Sequence, residues 1–152
     1  AFIKNIDHEK VLNLASQITA APGQIVSKTL AQNKAVSLTL FAFSKGEEIS
    51  THDSTGDAMV HVIEGVGQFT VDGVEHICKA GDVLVMPAKK PHAVFAKEDF
   101  KMLLTVDFRW IDRYSGFSGK RMCSDRAGCP AAGEQENFPE NKKVTVTQKI
   151  PV

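Results

Sequence analysis

Between positions 24 and 108 the sequence changes character at short, regular intervals. Segments rich in Val, Leu, Ile, Phe and Thr are broken by Gly, Pro or Asp before any grows long enough for a well-packed helix. Residues 24–32, 35–43, 58–63, 67–71, 74–78, 82–85, 92–96 and 101–108 are each about five to eight residues long, the usual span of a strand. In 35–43, Val36, Leu38 and Leu40 fall on one face and Phe41 and Phe43 on the other, so both faces of this strand are expected to be covered. Asp72-Gly73 between two strands fits a type I′ hairpin turn, which requires positive φ at both central residues. Many short strands with regular turn punctuation predict an all-β fold, an antiparallel sandwich or barrel.

The flanks differ. Residues 5–19, with Asn5 and Asp7 as possible caps and Val11, Leu12, Leu14 and Ile18 as apolar positions, read either as a short helix or as an extended arm reaching a neighbouring subunit. After Phe108 the periodicity fades, and glycines, prolines and two cysteines accumulate before a strand-like 144–147. The expected division is a barrel with an N-terminal arm over 1–108 and an irregular C-terminal extension over 109–152.

Charge excludes some functions. Lys and Arg number 18 against 18 Asp and Glu, which leaves no basic excess for nucleic acid or anionic lipid. No apolar run approaches the roughly 20 residues that span a bilayer. The segment 1–5 carries no signal-peptide pattern, and a cytoplasmic protein is the default expectation. Cys78 reads as a small apolar strand residue. Cys123 and Cys129 match neither a redox pair nor a zinc ribbon; they are free thiols unless an oxidising setting pairs them. Phosphate-cradling loops, nucleophile elbows and the zinc-protease helix motif do not occur.

Two blocks concentrate the candidate chemistry: 46–65 and 81–92 together hold three of the five histidines. Gly46, His52 and Gly65 stand at the spacing of the first cupin motif, in which a glycine precedes His-x-His, a glutamate and a closing glycine. Gly81, Pro87 and His92 stand at the spacing of the second. The central half of the chain therefore resembles the cupins, and the resemblance implies an antiparallel double-stranded β-helix, the jelly-roll barrel. It also implies a small-molecule site at the barrel mouth and a homodimer. In that family two histidines and the glutamate of the first motif join the histidine of the second to hold a divalent metal.

This sequence departs from that set. Ser54 stands where the second histidine belongs and Ala58 where the glutamate belongs, while Lys89 replaces a glycine and Ala96 an asparagine. One rescue is a bulge at Thr55-Gly56 that turns Asp57 inward. His52, Asp57 and His92 would then form a two-histidine, one-carboxylate set suited to iron or manganese, with His61 following if the strand shifts; nickel or zinc are further options. The expected mouth is lined by His52, Ser54, Asp57, Met86 and His92, over an apolar interior including Val60, Val62, Leu84, Met86 and Leu103. The bland readings are a strand-end histidine bonded to a carbonyl for His52, a turn residue for Asp57, and a neighbour or dimer contact for His61. Lys89-Lys90 is a solvated turn, or else a cationic rim that draws in an acidic substrate.

Three functions are compatible with this reading: a small-molecule-binding barrel with a degenerate metal site, a metal-dependent oxygenase or isomerase acting on a small organic acid or carbonyl compound, and a metal-free acid–base enzyme using His52 or His92.

Overall fold

The computed structural model describes residues 1–108. The expectations for 109–152, including the strand at 144–147 and the Cys123–Cys129 pair, lie outside the described residues. Nine strands follow one another: β1 (Ile25–Gln32), β2 (Val36–Phe43), β3 (Glu48–His52), β4 (Asp57–Glu64), β5 (Val66–Val71), β6 (Val74–Lys79), β7 (Val83–Met86), β8 (His92–Ala96) and β9 (Phe100–Asp107). They form two antiparallel sheets, one in the order β1-β2-β9-β4-β7 and the other β3-β8-β5-β6. This is the jelly-roll architecture that the spacing predicts, with strand bounds differing from expectation by a residue at most ends.

Strand parity decides what each sheet buries. Phe41 and Phe43 of β2, Val60 and Val62 of β4, Phe69 of β5, Met86 of β7, Val94 of β8, and Phe100 and Met102 of β9 all point between the sheets into one core. The end of the barrel away from the histidines is filled by aromatic rings. Phe43 stacks on Phe100 with centroids 4.6 Å apart, and Phe69 meets Phe100 edge-on at 6.1 Å. Such pairs add about 0.5–1.5 kcal/mol beyond the area they bury. Gly65 closes the β4–β5 corner at φ +76°, where an added Cβ would overlap the Asp99 carbonyl, so only glycine fits.

Leu103 corrects one expectation. It has the opposite parity to Met102 and Leu104, and it packs on the outer face of the first sheet with Ile18, Leu40 and Ala42. That face is covered by the N-terminal arm, which accounts for the two-sided burial of β2. The arm is not a helix over 5–19: it makes a single 3₁₀ turn, Leu14–Gln17, where the Asn13 side chain accepts from the Ser16 amide at 3.1 Å. Two lysines hold this turn to the sheet, Lys28 donating to the Gln17 carbonyl at 2.6 Å and Lys101 to the Ala15 carbonyl at 2.7 Å. Among the described residues no helix is long and apolar enough to cross a membrane.

The β5–β6 hairpin turns at Asp72 (φ +51°) and Gly73 (φ +81°), the type I′ geometry that the dipeptide predicts. Its tip has a second use. Asp72 donates its amide to the Pro91 carbonyl at 2.8 Å and accepts from Lys90 Nζ at 2.8 Å, which fixes the loop that delivers His92.

Candidate functional site

His52 ends β3 and His92 opens β8, and the two are cross-strand partners. A register shift between Ile49 and His52 brings them to the same face. Ile49 pairs with Val94 and faces the core, so in an unbroken strand His52, three residues on, would face outward. The extra residue of the bulge returns it inward. This irregularity also hid β3 from the sequence reading: Glu-Ile-Ser-Thr-His carries one apolar residue and no clean alternation.

The two imidazoles meet edge to face, with centroids 4.4 Å apart and planes at 67°. Each ring is oriented by its own strand. His52 Nδ1 donates to the Ser50 carbonyl at 2.8 Å, and His92 Nδ1 donates to the Lys90 carbonyl at 3.0 Å. A carbonyl only accepts, so Nδ1 carries a proton in both rings. His92 is only 3% exposed. Burial pushes its pKa below the ordinary value, and the neighbouring His52 pushes the same way. The bond to the Lys90 carbonyl and the charge of Asp53 oppose them without reversing the direction. His92 is therefore a neutral imidazole at neutral pH. Asp53, unremarked in the sequence because it belongs to no motif position, is part of the site's electrostatics.

Around this pair the mouth is apolar. Met86 is buried on the facing sheet, in register with Ala58, which in turn pairs with Val106. Leu84, Leu104, Val71 and Phe108 pack against the core but are only partly buried. Thr39 is the buried hydroxyl of this wall, with the parity of Phe41 and Phe43.

The other candidates go elsewhere. Asp57 is exposed, on the opposite parity to buried Ala58, and its Oδ1 accepts from the Ala88 amide at 2.8 Å. The bulge at Thr55-Gly56 that would turn it inward does not form; the register shift lies one strand earlier. His61 sits half-buried on the outer face, between Leu103 and Val83. Ser54 serves its own loop, its Oγ accepting from the Gly56 amide at 3.2 Å and its carbonyl from the Lys89 amide at 2.8 Å. Thus His52 and His92 come together, Met86 is buried in the core on the facing sheet, Ser54 is bonded within its own loop, and Asp57 and His61 do not join the pair. Among the described residues no group of three His, Cys, Asp or Glu side chains is placed to hold a metal ion. Two imidazoles alone do not fit the divalent metal of the cupin motif, because catalytic sites usually supply at least three protein ligands.

A cleft of about 520 Å³ lies on the opposite face of the same sheet, lined by Glu48, Thr51, Gln68, Thr70 and Phe95. It contains no histidine, and its polar lining is that of a solvated antiparallel face. The histidine pair, with its perturbed and desolvated group, is the better candidate.

The barrel agrees with comparisons to known proteins. Residues 39–107 match the cupin domain family model. A cupin superfamily protein from Desulfitobacterium hafniense is 37% identical, superposes with a TM-score of 0.69, and is covered over 100% of its length by 72% of this chain.

The chain belongs to the cupin superfamily.

A conserved protein of unknown function from Streptococcus pyogenes is 40% identical, with a TM-score of 0.70 and coverage of 72% of this chain and 96% of that one. A cupin 2 conserved barrel domain protein from Leptotrichia buccalis is 42% identical over 63% of this chain and 47% of its own, with a TM-score of 0.62. No curated protein matches this sequence. This cupin keeps the family's frame and departs from its ligand set. Lys89, at the glycine position of the second motif, still adopts φ +62°, so the backbone retains the left-handed turn without the residue suited to it.

Proposed function

We propose that this cupin binds a small organic molecule at the barrel mouth through the His52–His92 pair, without a tightly held metal. The observation that carries the reading is the commitment of both Nδ1 protons to backbone carbonyls. That leaves both Nε2 atoms uncommitted to the backbone, and at His92, whose pKa burial lowers, Nε2 is a hydrogen-bond acceptor. A ligand with a hydroxyl, N–H or acid proton satisfies them, and its apolar part lies against Met86, Leu84 and Leu104. Ala58 at the carboxylate position supports the same conclusion, since it removes an anionic ligand and adds only apolar surface.

A second reading, a metal-free acid–base enzyme, draws support from His92. A buried imidazole with a lowered pKa is unprotonated at neutral pH and can take a proton from a bound substrate, with His52 beside it to pass that proton to solvent.

The test is elemental analysis of untagged protein beside a His52→Ala variant, followed by a thermal-shift screen of hydroxy acids, enols and phenols. The expected result is metal far below one equivalent, unchanged by the substitution, and a ligand-dependent rise in Tm that His92→Ala removes. Near-stoichiometric metal that is lost in His52→Ala overturns the metal-free reading. Turnover of a stabilising ligand in the presence of chelator moves the conclusion to the second reading.

A further inference from the structure

The cleft on the outer face of the second sheet differs from an ordinary solvated sheet surface in shape and in charge. Strand parity builds it. Phe69, Val94 and Ala96 point into the core, so Gln68, Thr70, Ala93 and Phe95 point outward. Register sets Phe95 between Glu48 and Gln68, and Ala93 beside Thr70. Ala93 carries only a methyl, so the surface drops there from the level of the Phe95 ring. The bulge in β3 supplies a further wall: the irregularity that turns His52 inward leaves Ser50 and Thr51 exposed along the cleft. The recess holds about 520 Å³, inside the range of roughly 300–1,000 Å³ usual for small-molecule sites.

Its lining selects by chemistry. The side chains of Thr51, Gln68 and Thr70 make no hydrogen bond to any described residue. A hydroxyl both donates and accepts, and a side-chain amide offers N–H groups beside a carbonyl. Such groups around one recess match a ligand whose donors and acceptors alternate closely, as neighbouring hydroxyls do. Among the described residues neither Lys nor Arg lines the cleft, and its one charged side chain is Glu48. An acidic ligand therefore finds no counter-charge there and meets a repelling carboxylate. A hydroxyl instead donates to that carboxylate in a charge-assisted bond. The partly buried Phe95 ring adds an apolar wall whose negative face attracts C–H groups polarised by adjacent oxygens.

From these features we infer that the cleft binds a neutral sugar, its ring against Phe95 and its hydroxyls on Thr51, Gln68, Thr70 and Glu48. An apolar ligand would strip water from the amide and hydroxyls without replacing those hydrogen bonds. The histidine pair lies on the other face of β3 and β8, so the inference is independent of what the barrel mouth binds.

NMR titration of the full chain, followed on its backbone amides, tests it. Glucose, galactose and mannose serve as neutral probes, and their uronic acids as the acidic counterparts. An open recess of this kind should hold its sugar with a dissociation constant on the order of 1 mM. The expected result is a saturable shift at residues 48–51, 68–70 and 93–95 with at least one neutral sugar, and weaker binding of its uronic acid. Thr70→Lys fills the recess and should weaken binding about tenfold or more, while Gln68→Ala, which deletes one hydrogen-bonding group, weakens it several-fold. Both side chains lie outside the core, and the amide spectrum itself reports whether the barrel persists. No saturable shift from any neutral sugar at about a hundred times the expected constant overturns the inference. Shifts centred on His52 and His92, affinity indifferent to both substitutions, or a uronic acid that binds as tightly as its neutral parent overturn it equally.

Discussion

Lys89 offers the most direct check on the reasoning that ties backbone geometry to the site. It sits at φ +62° in the β7–β8 loop, a conformation that costs an L-residue roughly 1–2 kcal/mol relative to glycine. Replacing it with glycine removes that cost but returns about 0.5–1 kcal/mol of conformational entropy to the unfolded chain. The net expectation for Lys89→Gly is about 0.5–1 kcal/mol of added stability, or a Tm higher by about 1–4 °C for a chain of this size. Lys89→Ala is the control. It deletes the side chain, which makes no hydrogen bond or ion pair among the described residues, yet keeps the Cβ and with it the strain; its stability should stay within about 0.5 kcal/mol of wild type. The loop geometry is imposed from outside: the Lys89 amide donates to Ser54, the Ala88 amide to Asp57, and Lys90 Nζ to Asp72. Urea denaturation with matched m-values measures all three proteins. If glycine is no better than alanine, or destabilises, then the left-handed turn at position 89 is not what the loop adopts in solution, and the account of how His92 is delivered fails with it.

Two further predictions concern the histidines and the missing carboxylate. Burial holds the folded-state pKa of His92 below the ordinary 6.5, so below that pH the unfolded chain binds the proton more readily. Its contribution is intact above about pH 6.5 and is lost as pH falls from there through the lower folded value, and His92→Gln should flatten that part of a stability-versus-pH curve; an unchanged slope in the variant assigns it to another group. Ala58→Glu places a carboxylate on the inner face with the two imidazoles, and it should destabilise the metal-free protein by roughly 1–3 kcal/mol while tightening nickel or zinc binding about tenfold or more, read by calorimetry and by Tm with and without the ion. Unaltered affinity in a folded variant would show that position 58 does not face the pair.

How much of this was legible beforehand follows from what each residue type encodes. Alternation of Val, Leu and Phe marks strands because a one-residue slip reverses what is buried, so 35–43 and 58–63 could be read nearly to the residue. Asp72-Gly73 announced its turn because few dipeptides tolerate positive φ twice. β3 was illegible because a bulge breaks its alternation and its side chains are polar on both faces; the same bulge, not the one expected at Thr55-Gly56, decides that His52 faces inward. Leu103 was misplaced since β9 is apolar on both faces, inward to the core and outward to the arm. The arm itself had apolar residues but no helical period, and its place is set by Lys28 and Lys101 reaching across to its carbonyls.

The two motif blocks separate into positions that shape the backbone and positions that carry chemistry, and only the backbone geometry of the first kind is kept here throughout. Gly65 is held by a steric demand that no other side chain meets, and the turn at Lys89 persists even without its glycine. Neither depends on what the mouth binds. His52 and His92 are oriented by carbonyls of their own strands, so their geometry does not depend on a metal to organise it either. Asp57, the one carboxylate near enough in sequence to replace the missing ligand, is instead bonded to the Ala88 amide, where it stabilises the loop that precedes His92. Turning it inward would break that bond and reverse the register that buries Ala58, Val60 and Val62 together. The core therefore opposes the rearrangement that a third ligand from Asp57 would require. On the proposed reading the mouth offers two preoriented imidazoles on an apolar wall, a combination that would select a ligand by its donor and its hydrophobic body rather than by coordination.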